Sequence, residues 1–91
     1  MNALPIDVRI LPNPNKGAFT VKGSLGVTKD EVATLEITDM LGQVVFINKV
    51  VAVNGNVNEQ ISLSNALANG MYMLTVRFGS ENKVFHFVIG Q

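Results

Sequence analysis

The stretch "MYMLTVRFGSENKVFHFVI", Met71–Ile89, decides the fold. In its first half Tyr72, Leu74, Val76 and Phe78 fall on one face, the period of two of a strand that turns one side to a core. In its second half Phe85, Phe87 and Ile89 face one way and Val84, His86 and Val88 the other. The polar "GSEN" between them, Gly79–Asn82, joins the two as neighbouring antiparallel strands.

The same period recurs towards the N-terminus, with breakers between the runs. Ile6, Val8 and Ile10 alternate with Asp7 and Arg9 until Pro12, and Phe19 and Val21 alternate with Thr20 and Lys22 until Gly23. A polar, glycine-bearing loop leads to "VATLEITDM", Val32–Met40, where Leu35 and Ile37 oppose Glu36 and Thr38. Gly42 separates it from "QVVFINKVVAV", Gln43–Val53, whose apolar residues on both faces predict a bend or bulge. "NGN", Asn54–Asn56, is a hairpin signal, because Asn and Gly tolerate the positive φ of a type I′ turn. In "VNEQISL" Val57, Ile61 and Leu63 are in phase and Glu59 interrupts them; "SNALANG", Ser64–Gly70, is expected to form one helical turn capped by Ser64 and closed by Asn69 and Gly70. About seven strands at roughly 8–12-residue spacing, with connections too short for parallel crossovers, predict an all-β chain: a single antiparallel Ig-like β-sandwich. Residues 1–5 read as a linker remnant at the chain start and residues 6–91 as the one domain.

"LPNPNKGAF", Leu11–Phe19, is a stiff corner between two strands. Each proline fixes its own φ, removes a donor and pushes the residue before it into extended backbone. Asn13 and Pro14 suit the first two positions of a type I turn, and Gly17 a permissive re-entry. The corner is expected to carry the chain from one sheet edge into the other sheet.

Composition narrows the chemistry. Of 91 residues 47% are hydrophobic and 15% charged, which excludes a disordered chain. Seven basic residues balance seven acidic ones, and the basic ones are scattered singly from Arg9 to Lys83. That argues against nucleic acid or an anionic membrane surface as partner. With no cysteine there are no disulfides, thiolate metal sites or thiol catalysis. No apolar run approaches the roughly 20 residues of a membrane helix, and "MNALPIDV" lacks the layout of a signal peptide.

No constellation points to catalysis. His86 stands alone in mid-strand, the carboxylates fall on different strands and loops, and no serine has a Gly-x-Ser-x-Gly setting. Asp39, Asn13 and Asn15 are the residues a loop calcium site would draw on, but no acidic cluster accompanies them. "DMLG", Asp39–Gly42, fits a nucleotide-switch pattern that means nothing without a phosphate loop. The chain is expected to be no enzyme and to hold no metal or cofactor. "VFHFVI", Val84–Ile89, reads on composition as a central strand buried on both faces; at an edge it would be a docking strand.

Taken in order, "PNPNKGAFTV", "LEITDMLGQVV", "ISLSNALANGMYMLTV" and the terminal "NKVFHFVIGQ" resemble the type A C-terminal sorting domain of type IX secretion, found on exported proteins of Bacteroidota. The resemblance runs from about Ile6 to Gln91. Its matching positions are Pro12, Asn13, Pro14, Gly17 and Phe19; Gly42 and Gln43; Gly70, Tyr72 and Val76; and Lys83 and Val88. The chain departs from the family pattern at Val88-Ile89-Gly90-Gln91, where members commonly end in a basic stretch. The resemblance implies an Ig-like sandwich that folds in the periplasm and is read by an outer-membrane translocon. A sortase-like peptidase then removes it from the cargo protein that precedes it in the same chain, leaving the cargo secreted or on the cell surface. It implies no nucleic acid, no membrane insertion and no cofactor. The alternative reading is an Ig-like or fibronectin-like spacer, or a carbohydrate-binding module, which predicts an exposed aromatic platform.

Overall fold

A computed structural model describes residues 5–64 and 67–91. Seven strands follow one another: β1 Asp7–Leu11, β2 Ala18–Ser24, β3 Glu31–Thr38, β4 Val44–Ala52, β5 Asn56–Ser62, β6 Gly70–Phe78 and β7 Glu81–Ile89. They form a three-stranded sheet in the order β1-β2-β5 and a four-stranded sheet in the order β4-β3-β6-β7, with every neighbouring pair antiparallel. The expected antiparallel sandwich is the observed fold, and no described residue is helical.

The alternation dictates the core. Val8 and Ile10 of β1, Phe19 and Val21 of β2 and Val57 and Ile61 of β5 meet Leu35, Ile37, Tyr72, Leu74, Val76, Phe87 and Ile89 of the larger sheet. Phe87 stacks obliquely on Phe19 across the sheets, with centroids 4.9 Å apart, and lies 6.0 Å from Tyr72. The irregularity anticipated in Gln43–Val53 is a register shift: Ile37 pairs with Phe46 and Thr38 with Val44, leaving Val45 as the extra residue. Glu59, whose position breaks the apolar face of β5, sits on an edge strand beside solvent, where an inward charge discourages a stray strand.

Three expectations are corrected. Asn54 and Gly55 do take positive φ, +53° and +77°. Their turn, however, closes a single bridge, Val53 to Asn56, after which β4 and β5 part into different sheets, so it is a corner between layers. Conversely, the Leu11–Phe19 corner does not change sheets: β1 and β2 are neighbours in one ladder, Leu11 opposite Thr20. In place of the expected type I turn hydrogen bond across Asn13–Lys16, the backbone of Asn15 bridges to β7; both X-Pro bonds of the corner, Leu11–Pro12 and Asn13–Pro14, are cis. Finally, β7 is an edge strand, buried on one face only. Composition could not separate that from a central position. The helical turn expected over Ser64–Gly70 lies partly outside the described residues; within them the Leu67 N–H donates to the Ser64 carbonyl.

Candidate functional site

Antiparallel order gathers the ends of β1, β3, β5 and β7 at one pole of the sandwich, with the starts of β2, β4 and β6. Pro5 and Ile6 lie at the opposite pole, against Leu25, Val27 and Phe78. Three connections and the last residues of β7 therefore meet in a small area, although the sequence spreads them from Leu11 to Gln91.

Asn15 organises the first of these. It is the one polar residue buried among the described ones, with 4% of its surface exposed. Its Nδ2 donates to the Pro12 carbonyl (3.1 Å) and its Oδ1 accepts from the Gly17 N–H (2.8 Å), so the side chain closes the corner on itself. Its backbone does something else. The Asn15 N–H donates to the Val88 carbonyl (3.0 Å) and its carbonyl accepts from the Gly90 N–H (2.8 Å), a parallel bridge to the rim of β7. Asn13 extends this contact: its Oδ1 accepts the Val88 N–H at 3.0 Å, standing where a neighbouring strand's carbonyl would be. Gly17 completes the clamp, its carbonyl accepting from the Leu63 N–H (2.7 Å) just past β5. Asn13 and Asn15 thus tie the corner to the other sheet, and Gly17 fastens it to β5 within its own sheet.

The clamp seals only the end of the β7 edge. Both backbone groups of Val88 point away from β6, and the alternation of the ladder points those of Val84 and His86 the same way. Those two residues are exposed and line an open groove of about 500 Å³ with Val8 and Ile10 of β1. The free edge of β7 and the corner are one continuous surface rather than alternative ones.

The second connection is the β3–β4 loop, Asp39–Gln43. Asp39 Oδ1 accepts the N–H groups of Leu41 and Gln43, each at 2.9 Å. The Asp39 N–H donates to the Gln43 carbonyl (3.0 Å) and the Gly42 N–H to the Asp39 carbonyl (3.1 Å). The third connection lies across a shallow cleft of about 240 Å³ from Met40 and Leu41: Ala68, Asn69, Gly70, Met71 and Tyr72. Tyr72 is buried and its hydroxyl donates to the Ala68 carbonyl at 2.6 Å, while the Gln91 N–H donates to Asn69 Oδ1 at 3.0 Å.

The twelve positions carried by the resemblance therefore separate. Pro12, Asn13, Pro14, Gly42, Gln43 and Gly70 are exposed at this pole, and Val88 is half-buried there. Gly17, Phe19 and Tyr72 are buried beneath it, and Val76 lies deeper in the core. Lys83 is exposed five residues back along β7, roughly 17 Å from Val88. Asn15, which the sequence offers as a turn residue and a calcium ligand, is the hub; its one signal was a polar residue inside a proline-rich corner. Of the oxygens named for a calcium site, Asp39 Oδ1 is engaged in its own loop and the Oδ1 atoms of Asn13 and Asn15 in the clamp. Among the described residues no three of His, Asp and Glu converge.

The aromatic residues bear on the alternative reading. Phe19, Phe78, Phe87 and Tyr72 are buried and Phe46 and Phe85 partly so, which leaves no exposed platform on which a sugar ring could stack. No curated protein matches this chain. The family model described as "Secretion system C-terminal sorting domain" matches residues 9–90, and the chain belongs to that family, the C-terminal sorting domains of type IX secretion.

Proposed function

We propose that this domain acts as a folded, non-catalytic address: an outer-membrane translocon reads it at the pole built by the Pro12–Gly17 corner, the Asp39–Gln43 loop and the end of β7, and a sortase-like peptidase then releases the cargo. The family supplies the coarse function, a sorting signal carried by a secreted or cell-surface protein. One observation supports the finer reading. The exposed family positions other than Lys83 lie at the pole opposite Pro5, so a cargo preceding the domain joins it at the far end and leaves the pole unobstructed.

The test is a periplasm-directed reporter fused in front of the domain, in a host with the type IX system. Fusions should reach the cell surface and lose the domain, and reporters without it should stay in the periplasm. Substitutions at exposed Lys83 and His86 report on the open part of the β7 edge, once melting shows the fold intact. Equal export with and without the domain would refute the reading; export of a fusion that keeps its domain would refute the release step alone.

A further inference from the structure

We infer that Leu41, with Met40 beside it, is the anchor by which the domain engages a protein receptor, entering an uncharged apolar pocket on that receptor. This inference deepens the sorting reading and rests on it. Leu41 is 93% exposed and Met40 60%, and Met71 across the cleft is 44% exposed. The fold leaves Leu41 almost wholly uncovered, yet the loop that carries it and Met40 is fixed by four hydrogen bonds, two of them accepted by Asp39 Oδ1. A loop rigid in its free state loses little entropy on docking, and an apolar side chain held out from it is placed for capture. The transfer energy that folding leaves unused at Leu41 becomes available only when a partner covers it.

The surroundings identify the partner's chemistry. Within Asp39–Gln43 and Leu67–Met71 the single charged residue is Asp39, and one of its oxygens is held by the loop itself. The polar groups beside the tip are the amides of Gln43 and Asn69. An apolar centre depleted of charge with a neutral polar rim is the anatomy of a protein–protein contact. A lipid surface is bound by apolar residues set among lysine and arginine, and these two loops contain neither. The cleft between the tip and Ala68–Tyr72 can take a side chain in return, so that the two surfaces interlock.

The reporter fusion carries the experiment. Leu41→Ser with Met40→Ser is compared with Val32→Ser, another exposed apolar residue but at the other end of β3. All should melt as the unaltered domain does. Surface reporter should fall about tenfold for the double variant, as loss of a central anchor implies, and stay unchanged for Val32→Ser. A benzophenone amino acid at position 41 should give a discrete protein adduct in the type IX host that the same group at position 32 does not. The purified domain should not float with phosphatidylethanolamine–phosphatidylglycerol vesicles. Undiminished export of the double variant, or the absence of an adduct specific to position 41, overturns the inference; flotation abolished by Leu41→Ser overturns it in favour of a membrane. Failure of the unaltered fusion to be exported removes the sorting reading itself, and this inference with it.

Discussion

Replacing Asn15 by alanine tests the clamp directly. The change deletes the acceptor of the Gly17 N–H and the donor to the Pro12 carbonyl, while leaving the backbone bridge to Val88 and Gly90 chemically possible. Gly17 is buried, so its N–H is stranded; Pro12 is exposed, so its carbonyl can turn to water. A hydrogen bond lost with both ends rehydrated costs about 0.5–1.5 kcal/mol, and a buried donor left alone about 1–3 kcal/mol. Taken at the middle of each range, the sum for Asn15→Ala is about 3 kcal/mol. With a urea slope near 1 kcal/mol/M for a domain of this size, the unfolding midpoint should fall by roughly 3 M.

Asn15→Asp refines the test. One carboxylate oxygen can still accept from Gly17, but the other then faces the Pro12 carbonyl, which the native Nδ2 satisfies as a donor. Only the protonated acid can donate there, and burial also disfavours the charge, so the folded-state pKa of this carboxyl rises above its unfolded value. The folded state then holds its proton more tightly than the unfolded one. Stability is greatest below the unfolded pKa of about 3.9 and is lost as pH rises through the raised folded value. The aspartate variant should be weaker than the alanine variant at neutral pH and close the gap on acidification. An unchanged midpoint for Asn15→Ala, or an aspartate variant that gains stability with rising pH, refutes the clamp as described.

Gly17→Val should cost about 1–3 kcal/mol in the same titration, since φ is +103° there and the added Cβ has room, leaving backbone strain as the cause. Asn13→Ala should change global stability by less than about 1 kcal/mol because the bond is exposed, yet hydrogen exchange should accelerate at the Val88 amide, which loses its acceptor. Phe87→Ala, at the aromatic junction of the sheets, should cost about 3–5 kcal/mol by chemical denaturation.

The strands were legible because each core residue obeys a local rule. Tyr72, Leu74, Val76 and Phe78 alternate, and so do Phe85, Phe87 and Ile89, whatever else the chain does. Beyond the β6–β7 pair, which strands share a sheet was not legible, since that is a long-range choice: Asn54-Gly55 encodes a tight turn but not whether the flanking strands stay paired. The edge position of β7 was hidden for a similar reason. Asn15 read as an ordinary turn residue because its burial depends on a segment more than seventy positions away. At Met40-Leu41 periodicity had ended with β3, and only the fold shows that Leu41 is left almost wholly uncovered.

Because the pole joins residues as far apart in sequence as Asn13 and Val88, 75 positions, it exists only in the folded chain. An unfolded domain has the same residues and no such surface, so recognition there would certify folding as well as identity. Export and stability are then separable by choosing two variants of similar cost. Asn15→Ala loosens the pole for about 3 kcal/mol; Val21→Ala removes two methyl groups from a fully buried mid-strand site for about 2 kcal/mol and leaves the corner intact. A domain of this size has a stability of roughly 5 kcal/mol or more, so each variant remains more than about 95% folded. Unfolding alone cannot then reduce export several-fold. Reporter export should fall several-fold for Asn15→Ala and stay near the unaltered level for Val21→Ala, with melting and urea titration confirming that both are folded. Equal losses would mean that export responds to overall stability and that the geometry at the pole is irrelevant; no loss in either would mean that the clamp serves the fold and is not read.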